Sequence, residues 1–114
     1  MPSTSIIFYG PAGLQSQILG AYFKNLGHSF QRVNSQGALL SCVHEEPNSV
    51  VIIAFPDSPR ALMSLARRVA AGGSGAYPHI FILHEGERFD AELEAVTVIT
   101  GRFKLEQLAR QIRP

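Results

Sequence analysis

Residues 49–55 read SVVIIAF, and no other stretch limits the fold of this chain so tightly. Val50, Val51, Ile52 and Ile53 are four β-branched residues in a row. In a strand, neighbouring side chains point to opposite faces, so this strand is apolar on both. A central strand of a parallel sheet, covered by helices on each side, satisfies that demand. The next residues agree. Pro56 and Asp57 leave the strand, Ser58 is placed to cap a helix and Pro59 to open it. Leu62, Leu65, Ala66 and Val69 then form one apolar stripe, with Arg60, Ser64, Arg67 and Arg68 on the other face.

The rest of the chain repeats the alternation. SIIFYG (5–10) is a buried strand closed by Gly10. Residues 11–27 carry Leu14, Ile18, Ala21, Tyr22 and Leu26 at three- and four-residue spacing, which predicts a helix with that face inward. Pro11 suits its first turn, and Gly27 the position after its end. HSFQRV (28–33) is a more polar strand, fit for a sheet edge. Residues 34–47 hold a shorter helix with Leu39, Leu40 and Val43 inward, stopped by Pro47. A loop over 70–78 leads to the strand HIFIL (79–83). Residues 84–95 allow a loop and a short helix, VTVIT (96–100) is the fifth strand, and 104–112 is a last helix with Leu105, Leu108, Ala109 and Ile112 inward. Five strands alternating with helices, joined by short right-handed crossovers, predict an α/β doubly wound, flavodoxin-like (βα)5 domain with a parallel sheet in the order 2-1-3-4-5.

Length and charge bound what such a domain can do. At 114 residues the chain is expected to be one domain spanning 1–114, and 46% hydrophobic residues suffice for its core. Its end, just past a helical pattern, suits the N-terminal part of a longer regulatory protein. Ten Lys and Arg against nine Asp and Glu give no global field for nucleic acid or an anionic membrane. One cysteine, no apolar run near the roughly 20 residues of a membrane span and no leader pattern at MPSTS predict a cytoplasmic protein.

Few side chains stand out as chemistry. Asp57 comes after the central strand, yet it reads as a loop residue that favours the next helix start. His44, Glu45 and Glu46 adjoin, as do His84 and Glu85, without a metal-ligand spacing. Cys42 lies among Leu39, Leu40 and Val43 as a small apolar residue. GPAG (10–13) lacks the Gly-Lys-Ser/Thr ending of a phosphate loop. No cofactor and no metal are expected.

LGHSFQRVNSQGALL (26–40) and GRFKLEQLARQI (101–112), set in this βα order, resemble the response-regulator receiver domain, the CheY-like phosphoacceptor module of bacterial two-component signalling. The resemblance runs from Ser5 to Ile112. It implies an acidic pair after strand one, a phosphoacceptor aspartate after strand three, a Ser or Thr after strand four and a Lys after strand five. Those positions fall on Tyr9 and Gly10, on Ala54, on Leu83 (or His84, one register on) and on Gly101. None carries the residue that the chemistry requires. Asp57 stands three places beyond the nucleophile position, with Pro56 between.

The resemblance therefore implies a degenerate, or pseudo-, receiver: a non-enzymatic signalling domain that works by dimerising or by docking on another protein. The receiver contact surface of helix four, strand five and helix five maps to Glu92, Arg102, Phe103, Gln107 and Arg110. The alternative is a small flavodoxin-like enzyme or a phosphocarrier of the sugar-phosphotransferase B type. Those domains place a Cys or His just after strand one, where this chain reads YGPAG.

Overall fold

The computed structural model describes residues 5–46, 49–72, 79–84 and 96–100. Its elements run β1 (Ser5–Tyr9), α1 (Leu14–Asn25), β2 (Ser29–Val33), α2 (Gln36–Glu45), β3 (Val50–Ile53), α3 (Pro59–Gly72), β4 (His79–His84) and β5 (Val96–Thr100). All strand pairings are parallel, in one sheet ordered β2-β1-β3-β4-β5. This is the flavodoxin-like α/β arrangement that the alternation predicts. The helices expected within 84–95 and 104–112 lie outside the described residues.

Every residue of β3 is buried, because the sheet divides the core in two. Val51 and Ile53 join Ile7, Leu39, Val43, Leu62, Ala66 and Ile80 on the side of α2 and α3. Val50 and Ile52 join Ile6, Phe8, Leu19, Phe23, Phe81 and Leu83 on the side of α1. Burial of each such side chain contributes about 1.5–3 kcal/mol, so both helical layers follow from one strand's composition. Among the described residues β2 pairs only with β1, and Ser29, Gln31 and Arg32 are exposed while Phe30 is part-buried and Val33 buried, as suits an edge strand.

The helix ends are set by local chemistry. Ser58 Oγ accepts from the Ala61 amide at 3.2 Å, and Ser35 Oγ from the Ala38 amide at 3.1 Å. Each satisfies one of the amides that a helix start leaves bare. At the end of α1 the Gly27 amide bonds to Lys24 O and the His28 amide to Phe23 O, with Gly27 at φ +90. Glycine closes the helix there because it adopts the left-handed conformation without a steric penalty. α3 continues through Ala70 and Ala71 to Gly72, where the sequence predicts a loop from residue 70. Ala70 is buried one turn beyond Ala66, so packing extends the helix.

α1 corrects two expectations. It begins at Leu14 rather than near Pro11. Gly13, extended at φ 168, is its cap residue, and Ser16 Oγ accepts from the Gly13 amide at 3.2 Å and donates to its carbonyl at 3.0 Å. The helix also buries a different face. Ser16, Leu19, Gly20 and Phe23 are buried, whereas Leu14, Ile18 and Leu26 are 72%, 45% and 51% exposed. Ala21 is exposed too, and Tyr22 is only part-buried. Close approach explains the choice. A Cβ on Gly20 would stand 3.2 Å from the Phe30 ring, so the glycine lets α1 settle on β2 while Leu19 and Phe23 fill the space over the sheet.

Candidate functional site

In open α/β sheets, ligands bind beyond the carboxyl ends of the strands, where the strand order reverses. Here that place lies between β1 and β3. Four of the positions that the sequence singles out meet there or beside it. Tyr9 closes β1 and Gly10 is the next residue. Ala54 comes one residue after β3. Leu83 lies in β4, one residue past the Ile53–Ile82 pair. Backbone bonds hold the strand ends together: the Ala54 amide donates to Tyr9 O at 2.7 Å, and the Gly10 amide to Val33 O at 3.3 Å. Gly101 lies outside the described residues, as do Glu92, Arg102, Phe103, Gln107 and Arg110.

Part of the site belongs to the core: Gly10 and Leu83 are buried, while Tyr9 and Ala54 are half-buried. A Cβ placed on Gly10 would come within 2.6 Å of Phe8 Cε1 and 3.0 Å of Ala54 Cβ. The Phe8 ring cannot yield, being fully buried among Ile6, Leu19, Phe23 and Ile52. Ala54 rests against the same cluster, and Leu83 belongs to it. Tyr9 leans on the opposite core, and its ring meets Phe55 edge-on at 4.7 Å.

Sequence reasoning missed one side chain. Arg32 Nη1 donates to the Gly10 carbonyl at 3.1 Å. Arg32 pairs with Phe8 across β1 and β2, so both side chains stand on the α1 face of the sheet. Only the strand register reveals this, since twenty-two residues separate Arg32 from Gly10. A guanidinium is charged at any ordinary pH, so the Gly10 carbonyl, just past the end of β1, faces a fixed cation.

A divalent ion does not fit these residues. A hard cation takes carboxylate and carbonyl oxygens. Of the positions gathered here only Tyr9 brings a side-chain oxygen, a phenol, and the Gly10 carbonyl is engaged by a cation already. Asp57 is exposed, with Oδ1 accepting from the Ser58 amide at 2.8 Å, so it serves the start of α3. Glu46 stands at the opposite end of the sheet, accepting from Ser5 Oγ at the start of β1. Among the described residues, no group of three or more His, Cys, Asp or Glu is placed to hold a metal. No described helix is long and apolar enough to cross a membrane.

No family model and no curated protein matches the chain. Among solved structures, the chain is similar to a response regulator receiver domain protein from Bacillus halodurans C-125, with a TM-score of 0.69. The match covers 97% of this chain and 95% of that one, at 12% sequence identity. At that identity the likeness shows the receiver fold.

Proposed function

We propose that this chain is a phosphorylation-independent receiver domain: a regulatory module of a bacterial signalling system that acts by contact with a protein, either a second copy or another signalling component. One observation carries the reading. The positions that the resemblance assigns to a metal ligand and to the nucleophile, Gly10 and Ala54, lie against the cluster of the buried Phe8 ring, and Gly10 has no room for a side chain. Phosphoryl transfer depends on positioned charge around the transferred group, and these residues supply no such charge to a nucleophile. The likeness in fold supports a signalling role, and the absence of a nucleophile at Ala54 supports a non-enzymatic one. The contact surface in this reading is Glu92, Arg102, Phe103, Gln107 and Arg110. Neither nucleic acid nor membrane is a partner of the domain itself, and it needs no cofactor.

Acetyl phosphate with Mg²⁺ tests the chemical half. Intact mass should be unchanged, and beryllofluoride should leave the amide spectrum unmoved. A stable phosphoryl adduct on any aspartate would overturn the reading.

A further inference from the structure

The peptide at Gly10 is held from both neighbouring strands. Its amide donates to Val33 O and its carbonyl accepts from Arg32, while the preceding carbonyl, Tyr9 O, accepts from the Ala54 amide. The Arg32 bond differs from the other two in being charge-assisted, hence the strongest kind of hydrogen bond available to a carbonyl. It also comes from a side chain rather than from the sheet ladder, so it is an addition to what the fold needs.

We infer that Arg32 is a built-in cation for this fold: its guanidinium holds the carbonyl of Gly10, a position that the receiver resemblance assigns to a metal ligand, and so fixes the turn from β1 into α1 in one arrangement. The position is closed to a divalent ion twice over. Arg32 brings like charge, and Gly10 cannot gain a carboxylate because its Cβ would strike Phe8 and Ala54. The turn then has no state that depends on a metal or a phosphoryl group. The regulatory meaning of this lock rests on the proposed function, but the lock itself does not.

The test uses the isotopically labelled full chain. Millimolar Mg²⁺ should leave the Gly10, Gly13 and Ala54 amides unshifted. Arg32→Ala should speed hydrogen exchange at Gly10 and Ala54 by about tenfold or more, the scale of one charge-assisted hydrogen bond. Exchange at Ile80 and Ile82 in β4 should stay unchanged, because Arg32 is exposed and outside both cores. Arg32→Lys, which keeps a charged donor, should recover part of the protection. Unchanged exchange at Gly10 in Arg32→Ala, loosening of β4 as large as that at Gly10, or Mg²⁺ shifts in the wild type would each overturn the inference. Phosphorylation by acetyl phosphate alongside the expected Arg32 results would overturn the functional reading and leave the lock standing.

Discussion

Two glycines three residues apart answer opposite demands. Gly10→Ala should destabilise the fold by about 1–3 kcal/mol through overpacking, because its methyl meets the immobile Phe8 ring at 2.6 Å. Gly13→Ala meets nothing within 4 Å and has an extended backbone open to any residue, so its effect should stay within about 0.5 kcal/mol. Urea denaturation of both variants reads the contrast, and equal effects would refute the close approach at Gly10. Ser49 offers the reverse case. Its Oγ is buried one residue before β3, with no hydrogen-bond partner among the described residues. Ser49→Ala removes an unsatisfied hydroxyl and should raise stability by about 1 kcal/mol. A loss of stability would mean that the hydroxyl has a partner after all. Cys42 sets a pH dependence. Burial first, then the charges of Glu45 and Glu46, push its thiol up from 9.0, against a hydrogen bond from the Gln31 side chain. The folded chain thus binds the thiol proton more tightly than the unfolded chain does. The stability gained is complete below pH 9.0 and disappears as pH rises through the folded-state value. The stability difference between wild type and Cys42→Ala should therefore be flat up to pH 9.0 and shrink from there until the folded-state value is passed. A difference that grows with pH would contradict the sign.

Among the elements, β3 and α1 make opposite predictions from similar-looking sequence. Ile52 and Ile53 are both fully buried, one in each core. Truncation of either to Ala should destabilise by about 2–5 kcal/mol. Leu14 and Ile18 are just as apolar but lie on the outward face of α1. Their replacement by Gln should change stability by no more than about 0.5 kcal/mol. Thermal unfolding of the four variants separates the two cases, and a core-sized loss at Leu14 would restore the inward face that its spacing suggests. Periodicity counts apolar residues along a helix and cannot weigh a gap. In α1 the inward face is decided by what it lacks: Gly20 and Ser16 let the helix come down on Phe30 and the sheet. α3 poses no such choice, because its exposed side carries Arg60, Ser64, Arg67 and Arg68 and only one apolar stripe remains.

For the whole molecule, the question is which surface meets a partner. The outward strip on α1 is about 18 Å long, too small alone for the ~800 Å² per partner of a stable interface. Association measured by ultracentrifugation should therefore weaken on reversal of Arg102 together with Arg110 and survive Leu14→Gln with Ile18→Gln. The opposite pattern would move the interface to α1. What the sequence alone determined is the frame: the doubly apolar run at Val50–Ile53 requires cover on both faces, and the repeated βα alternation allows little but a parallel doubly wound sheet. It also determined the residue types at the strand ends, since Gly10 and Ala54 are legible without any coordinates. Tertiary structure decided the rest. It chose the face of α1, brought Arg32 across from β2 to the Gly10 carbonyl, and turned the gap at Gly10 and Ala54 into a packed extension of the core. The reason is physical: strand and helix periods repeat locally and can be read along the chain. Close approach and register depend on residues tens of positions apart, which meet only when the sheet assembles.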